Sequence, residues 1–492
     1  MKSYDVIVIG SGLGGLETAY ILAKNGMKVC VLERTPVLGG CLQTFKRGSH
    51  LFDTGFHYVG GLQEGGPLHR LFGYFDLLEL PWQRMDDCFD EVTVDDKTVF
   101  FAQGYEHFTD EFLRAFPKAK AELTNYTALL KEVGAHIFDN FKPRSAETFF
   151  NTSLFGRSAK AFLDETITDR QLRDCLAGTS LKMELGEQLP LYTYAQINNS
   201  FIESAWRING GGEQIARHLA ASVEAMGGEV RTRAEVTELV ECDGKIGEVE
   251  INGQERVACR HVISNAHPAH TLTLIKDSAL IRNIYRRRIN SMANTFGMFT
   301  ANLSLKPGRV PYCNHNKYLY EQADLWNYQA GKTDRVLASY YPDTVAPDGS
   351  CTQIDLLTPM TWDEVAAWAE MPMGKRGQSY VDMKRAKTEA CVRLASKRIP
   401  ELADAIEKDY TSTPLSYRHY TNTSFGSAYG LRKDFSNPML TVMTPKTPVP
   451  NLFLTGQNLN LHGILGVSMT SFFTAAELIG METATKELFI ND

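Results

Sequence analysis

The sequence predicts an α/β protein in which one discontinuous domain, built from three separated segments, carries a second domain inserted in two parts. Three observations lead to this prediction. A chain of 492 residues is too long for one ordinary core. Strand, glycine-rich turn and helix patterns occur near the start, the middle and the end of the chain. The two stretches between them differ, because one is rich in helical patterns and the other in strand patterns.

The first segment has the pattern of a βαβ unit. Asp5 to Ile9 is a β-branched run that ends in glycines, as is typical of a buried parallel strand. Leu16 to Lys24 predicts a helix, Asn25-Gly26 ends it, and Lys28 to Leu32 predicts a second strand.

The second and third segments also combine strands, glycine-rich turns and a helix. Gly210-Gly211-Gly212 starts a predicted helix that is followed by strands, with a hairpin turn at Asn252-Gly253. Asn451 to Gly480 predicts a strand, a glycine-rich turn and a helix that begins near Ser468. The predicted domains are 1–75, 205–290 and 425–492 for the discontinuous domain, and 76–204 and 291–424 for the inserted α+β domain, which we assign to the substrate.

The turn after the first strand matches the phosphate-binding pattern GxGxxG at Gly10, Gly12 and Gly15. Between a strand and a helix, these glycines permit the turn, admit a pyrophosphate and let the helix lie close to the strand. Glu33 ends the next strand, where a carboxylate accepts hydrogen bonds from ribose hydroxyls and repels a 2′-phosphate. The pattern therefore predicts a Rossmann-type site for FAD or NAD rather than NADP.

The choice of FAD over NAD rests on a resemblance. Gly39-Gly40-Cys41, Phe52 to Tyr58, Leu454 to Asn458 and His462 to Val467 resemble the phytoene desaturase, carotenoid isomerase and retinol saturase superfamily of flavoproteins, with the retinol saturase branch most similar. The resemblance is specific over roughly the first 70 and last 40 residues, weaker over 209–266, and not traceable by motif through the substrate domain. It implies the architecture of flavin amine oxidases and phytoene desaturases, with FAD as cofactor.

Carried over residue by residue, the resemblance implies contacts to every part of FAD. The implied cofactor-binding residues are Gly10, Gly12, Leu13, Gly14, Gly15, Glu33, Arg34, Gly40, Cys41, Gly55, Val236, Asn265, Gly456, Gln457, Gly466 and Val467. Gly466 and Val467 would place backbone N–H groups near the flavin and stabilise its reduced form. Cys41 stands where many amine oxidases carry arginine, and it either packs beside the cofactor or takes part in redox chemistry or flavin attachment.

The resemblance also implies a reaction at a carbon–carbon double bond of an apolar isoprenoid or polyene: saturation, desaturation or isomerisation, with saturation favoured. Saturation by reduced flavin needs a proton donor, and His57 and Tyr58 are the candidate catalytic residues. His462 is expected to be a flavin contact, and no metal is required. The alternatives are an FAD-dependent amine oxidase, a non-redox lipid-binding or escort protein with this fold, and a fatty-acid hydratase.

The electron donor stays open, because only one dinucleotide turn lies in the right context. A transient small donor, a partner protein and NAD(P)H entering by the substrate channel are the three alternatives.

Charge and composition indicate which partners and which cellular location to expect. A net charge of -7 and a pI near 6.0 argue against nucleic acid. Nine scattered cysteines without a CxxC pair, and a start that runs directly into a strand, favour a cytoplasmic protein. No apolar stretch approaches the ~20 residues that span a bilayer, so any membrane contact is expected to be peripheral. The phenylalanine-rich stretch 137–163 is either that contact or the edge of the substrate-domain core.

Overall fold

The computed structural model describes residues 2–142, 153–184, 186–276 and 278–489. The strands are β1 (Ser3–Ile9), β2 (Val29–Leu32), β3 (Thr44–Arg47), β4 (His50–Asp53), β5 (Val59–Gly60), β6 (Trp82–Arg84), β7 (Cys88–Val94), β8 (Lys97–Ala102), β9 (Ala205–Ile208), β10 (Glu229–Arg231), β11 (Val236–Cys242), β12 (Lys245–Ile251), β13 (Glu255–Ser264), β14 (Gly297–Leu305), β15 (Val310–Pro311), β16 (Asn316–Tyr320), β17 (Arg335–Tyr340), β18 (Ser350–Cys351), β19 (Gln353–Met360), β20 (Ile406–Ser412) and β21 (Leu452–Leu454).

The α-helices are α1 (Leu13–Lys24), α2 (Pro67–Tyr74), α3 (Tyr105–Ala115), α4 (Lys120–Ala135), α5 (Ala159–Thr166), α6 (Arg170–Ala177), α7 (Leu191–Glu203), α8 (Glu213–Ala225), α9 (Pro268–Thr273), α10 (Asn283–Ser291), α11 (Gly377–Ala395), α12 (Leu402–Ala405), α13 (Pro414–Thr421), α14 (Pro438–Thr441), α15 (Gly463–Ile479) and α16 (Met481–Thr485). None of the helices in these described ranges is both long enough and apolar enough to cross a membrane.

The first sheet joins strands from all three α/β segments. Its order is β10-β2-β1-β13-β12-β11, and β21 also pairs with β13. The pairs β1–β2, β1–β13 and β13–β21 are parallel. Because the carboxyl ends of parallel strands meet at one edge, the turns after β1, β13 and β21 come together there. The predicted α/β fold is confirmed, while the domain boundaries stay a prediction.

The second sheet has the order β20-β14-β19-β17-β16-β7-β8. The sequence interpretation of 76–200 as helical missed β7 and β8, which join this sheet by parallel pairing of β7 with β16. Strand β7 shows no apolar alternation because Asp90 and Glu91 are both buried. Asn316 and Lys317, on β16, donate hydrogen bonds to these two carboxylates, so their polar character fits the interior only once the strands have paired.

Helix α15 begins at Gly463, five residues before the start predicted near Ser468. Gly463 has φ +75°, which lets the chain turn into the helix. A Cβ on Gly466 would lie 2.6 Å from the carbonyl oxygen of Leu461. In the sequence, Gly463 and Gly466 are typical of a loop. In the structure, they permit close packing in the first turn of α15.

The described phenylalanines of the stretch 137–163 pack against other aromatic rings. Phe141 is buried with its ring 5.7 Å from that of Phe472, and the rings of Phe155 and Tyr192 lie 4.5 Å apart. Phe138 packs on the ring of Phe489, and Phe162 is buried. Phe149 and Phe150 lie outside the described residues. Phe155 and Phe162 thus fit the edge of the substrate-domain core, whereas Phe138 and Phe141 pack against rings of the C-terminal segment 472–489, in the predicted FAD-binding domain.

Candidate cofactor and substrate site

The turn after β1 leaves no room for side chains. Gly10 has φ +91°, and a Cβ on Gly15 would lie 2.1 Å from the carbonyl oxygen of Gly10. A Cβ on Gly12 would lie 2.7 Å from the side-chain nitrogen of Asn265, which follows β13. Only bare backbone fits here, so a ligand can approach the main chain closely, as a pyrophosphate requires.

The start of α1 completes this anion site. In the described part of the chain, no side chain caps the N-terminus of α1. A Cβ on Gly14 would lie 2.8 Å from the Cα of Gly456, so α1 packs directly against the turn after β21. Unpaired N–H groups and the positive end of the helix dipole favour phosphate at such a position. The residues present therefore fit the pyrophosphate of FAD.

Glu33 lies at the end of β2 with a buried carboxylate. One carboxylate oxygen accepts the Ser11 hydroxyl at 2.7 Å, and the other accepts the Thr35 hydroxyl at 2.9 Å. The amide of Ala234 donates to the Glu33 carbonyl oxygen at 2.8 Å, which brings Val236 to the same end of the sheet. This end fits an adenosine, whose ribose hydroxyls would share the carboxylate with Ser11 and Thr35.

An elongated cavity of about 350 Å³ runs from the glycine turn to the second sheet. The predicted site residues that line it are Gly12, Leu13, Gly14, Gly40, Cys41, Gly55, His57, Tyr58, Asn265, Gly456, Gln457, Gly466 and Val467. The predicted residues that do not line it are Gly10, Gly15, Glu33, Arg34 and Val236. Gly10 and Gly15 shape the turn, whereas Arg34 donates to the carbonyl oxygen of His419 at 2.7 Å.

The far end of the cavity is apolar and was missed by sequence reasoning. Met298, Leu337 and Leu357 reach it from three strands of the second sheet, and Ile197 and Phe201 reach it from α7. No local signal marks these residues, because β14, β17 and β19 are buried throughout. The cavity therefore continues from a polar, glycine-lined end into a space suited to an apolar molecule.

A buried amide side chain also lies in this wall. Gln196 of α7 lines the cavity and is 1% exposed. Neither its amide oxygen nor its amide nitrogen has a hydrogen-bond partner among the described residues. An unpaired buried amide costs about 1–3 kcal/mol, so a ligand that offers it a polar group gains correspondingly.

The two predicted catalytic residues lie on the cavity wall but are poor acids. Burial, together with the Arg207 charge, lowers the pKa of His57 to about 4, so its imidazole is neutral at pH 7. The Tyr58 hydroxyl donates to Asp90 at 2.9 Å and lies 2.6 Å from the Tyr318 hydroxyl. Burial and Asp90 raise the Tyr58 pKa well above its ordinary value. These pKa directions give no support to proton delivery by either side chain, and their catalytic role stays a prediction.

Lys182 is the charged wall residue that sequence reasoning missed. Its Nζ lies 3.4 Å from a carboxylate oxygen of Asp90, and burial lowers its pKa to about 8. Nothing local distinguishes this lysine, because its carboxylate partner lies on a strand far away in sequence. Burial also raises the pKa of the Cys41 thiol to about 11, which keeps it protonated and fits packing beside the cofactor.

A possible metal cluster lies away from this cavity. Ligand atoms of Cys88, His107 and Glu111 all lie within 4.8 Å of one another. The Glu111 carboxylate, however, already pairs with Arg114 at 2.5 Å and with His107 at 3.2 Å. These contacts account for the cluster without an ion.

Comparison with known proteins places this geometry in a family. The model of the family "Flavin containing amine oxidoreductase" matches residues 13–479. The chain is 27% identical to the all-trans-retinol 13,14-reductase of Danio rerio, over 97% of this chain and 86% of that protein. It is 23% identical to the chloroplastic prolycopene isomerase of Daucus carota, over 96% of this chain and 80% of that protein.

A solved structure shares the fold. Putrescine oxidase superposes with a TM-score of 0.64 at 16% identity, covering 97% of this chain and 99% of that one. The glycine turn, the buried Glu33 and the start of α15 all agree with a bound flavin dinucleotide. The chain therefore belongs to the family of flavin containing amine oxidoreductases and is an FAD-dependent oxidoreductase.

Proposed function

We propose that the protein uses reduced FAD to saturate a carbon–carbon double bond of an apolar isoprenoid or polyene. The observation that carries this proposal is the cavity, which continues from the dinucleotide turn into an apolar space between α7 and the second sheet. Relatives named as a retinol reductase and a prolycopene isomerase match over almost the whole chain, and both names refer to polyenes.

The chain's own residues hold the reactants and exclude water. When bound, FAD supplies the hydride that a saturation needs. The turn from Gly10 to Gly15 would hold the pyrophosphate, and Gly466 and Val467 in the first turn of α15 would offer N–H groups to the flavin. The apolar wall that would contact the substrate is formed by Met298, Leu337 and Leu357.

The unpaired amide of Gln196 refines the substrate class. Both amide atoms are buried, so a polyene with a terminal hydroxyl or carbonyl would bond to them by drawing the Gln196 side chain into the cavity, whereas a pure hydrocarbon would leave them without a partner. We therefore favour a polyene that carries one polar end.

The amine oxidase alternative is weaker, and the argument rests on charge rather than on aromatic residues. The segment from His462 to Val467 contains no Phe, Tyr or Trp, but Tyr417 and Tyr429 line the cavity from other elements, so aromatic residues do not decide between the two functions. Charge gives the better argument. Lys182 and Arg207 are two buried cations near one buried anion, Asp90, and this excess of positive charge disfavours an ammonium substrate.

NAD(P)H is included in the proposal as the transient electron donor. His462 lines both the first cavity and a second cavity of about 640 Å³. We infer that NAD(P)H would approach the flavin from the side of this second cavity. Anaerobic mixing with NADH or NADPH tests this part separately, because bleaching of the flavin absorbance reports electron transfer without any polyene.

The main test is anaerobic oxidation of the prereduced flavoprotein by all-trans-retinol. The proposal expects the flavin absorbance to return and the product to gain two hydrogens. Gain of water would indicate a hydratase. Reduction of the oxidised flavin by putrescine alone would indicate an amine oxidase, and a folded protein without flavin would indicate an escort protein.

A further inference from the structure

A short 3₁₀ turn, Ser180–Lys182, places Lys182 on the cavity wall. The turn is held at two points, by Tyr429 and by His462, the residue before α15. The Tyr429 hydroxyl donates to the carbonyl oxygen of Leu181, and Nε2 of His462 donates to that of Lys182 at 3.1 Å. Tyr429 and His462 also line the cavity. The position of Lys182 is thus tied to the part of the fold that faces the flavin.

The Lys182 side chain is 6% exposed, and its Nζ lies 3.4 Å from Asp90 Oδ2 and 4.2 Å from the ring centre of Phe201. Asp90 is fully buried and also accepts hydrogen bonds from the Tyr58 hydroxyl at 2.9 Å and the Asn316 amide at 2.8 Å. The ammonium group is therefore held at the cavity by one carboxylate that is itself fixed by two further donors.

Burial around Lys182 favours release of its proton, whereas its carboxylate partner Asp90 opposes that release. The titratable groups around it on neighbouring elements are Asp90, Tyr58, Tyr318, Arg207, Tyr429 and His462. Asp90 is the carboxylate among them, and the second cation, Arg207, donates to Asn316 Oδ1 at 2.8 Å beside it. Burial lowers the Lys182 pKa to about 8 against the attraction of Asp90. At pH 7 the amine keeps its proton, but it gives it up roughly 300-fold more readily than an exposed lysine does.

Resting on the proposed function, we propose that Lys182 is the proton donor of the reduction and that Asp90 and Tyr58 position its ammonium group. An N–H bond of the ammonium breaks and a C–H bond forms at one carbon of the double bond, while the other carbon receives a hydride from the reduced flavin. The substrate gains two hydrogens, the flavin is oxidised, and Lys182 is left as a neutral amine that water from the solvent reprotonates.

The first experiment compares Lys182→Met and Lys182→Arg with a matched control. Lys387 is also a buried lysine, paired with Glu364 at 2.7 Å, and it does not line the cavity. All three variants are prereduced and mixed anaerobically with all-trans-retinol. Flavin reoxidation is expected to slow at least about 100-fold in both Lys182 variants and to stay near the wild-type rate in Lys387→Met. Arginine retains the charge but not the acidity, so a slow Lys182→Arg excludes a purely electrostatic role.

The second experiment needs neither flavin nor turnover. Acylation of Lys182 by a small amine-directed reagent, followed by peptide mass spectrometry across pH, is expected to have its midpoint near pH 8. Asp90→Asn is expected to lower that midpoint, because the ammonium loses its partner. The wild-type reoxidation rate should fall as pH rises through the same midpoint.

The outcomes separate this assignment from the proposed function. Two outcomes would overturn the assignment of Lys182 alone. One is that retinol reoxidises Lys182→Met as fast as wild type, and the other is that acylation of Lys182 has its midpoint near pH 10.5. A wild-type reduced flavin that does not react with retinol overturns the proposed function and the assignment together. Slow Lys182 variants that retain normal flavin content and normal reduction by dithionite support both.

Discussion

Replacement of Glu17 by glutamine is expected to have an effect on stability that depends on pH. Relative to wild type, the variant should be more stable at pH 8.5 than at pH 5. Glu17 lies in α1 with no exposed surface. Its carboxyl group accepts the hydroxyls of Ser468 at 2.7 Å and Ser471 at 3.1 Å, both on α15. Burial raises its pKa from 4.5 to about 8, although the two hydroxyls oppose the rise. This carboxyl therefore sits between the two helices whose first turns face the cofactor.

The magnitude follows from proton linkage. The unfolded chain loses the Glu17 proton near pH 4.5, and the folded chain keeps it up to about pH 8. A folded pKa above the unfolded one contributes stability that is complete below pH 4.5 and is lost as pH rises to 8. At about 1.4 kcal/mol for each tenfold change in acidity, the loss is about 4–5 kcal/mol. Glutamine has no charge to bury, but an unpaired amide N–H would cost about 1–3 kcal/mol at every pH.

The assay is denaturant unfolding of wild type and Glu17→Gln at pH 5 and pH 8.5, with matched flavin content because bound ligand adds stability. The free energy of unfolding of the variant minus that of wild type should be about 4 kcal/mol larger at pH 8.5 than at pH 5. Glu106→Gln, at an exposed position of α3, is the control and should show no such difference. Equal effects of Glu17→Gln at both pH values would refute the reasoning.

Three further changes probe the site. Gly15→Ala would put a methyl group 2.1 Å from the Gly10 carbonyl oxygen, so the purified variant should lose its flavin absorbance. Gly26→Ala, where a Cβ meets nothing within 4 Å, should retain that absorbance, and loss in both would contradict a specific role. His57→Gln should slow reoxidation by retinol less than about tenfold, because an imidazole with a pKa near 4 is already neutral; a loss of about 100-fold would restore His57 as the acid. Gln196→Leu should weaken binding of retinol but not of a hydrocarbon polyene in flavin-quenching titrations, and equal effects on both would contradict the amide contact.

The cofactor half of the site could be predicted because its signals are local. The first βαβ unit is marked by a glycine turn of six residues, and the hairpin at Asn252-Gly253 has the positive φ values, 54° and 68°, that these residues favour. The substrate half could not be predicted, because its polar residues acquire partners only on folding. Asp90 and Lys182 are 92 residues apart in sequence, and Asp90 and Asn316 are 226 apart. Neither pair leaves a periodicity or a spacing that identifies it.

The run from Phe52 to Tyr58 shows why one motif of the substrate half was nevertheless visible. At one end, the Asp53 carboxylate accepts the amide of Gly212 at 2.8 Å, at the start of α8 in the first half of the fold. At the other end, Tyr58 bonds to Asp90 in the second sheet. Between them, Gly55 and His57 line the cavity. Both ends of this seven-residue run are thus fixed by partners that are distant in sequence, and its middle borders the cavity. The motif therefore connects the start of α8 with Asp90 in the second sheet, and in this way a local sequence can mark a site whose charged wall residue, Lys182, lies elsewhere in the chain.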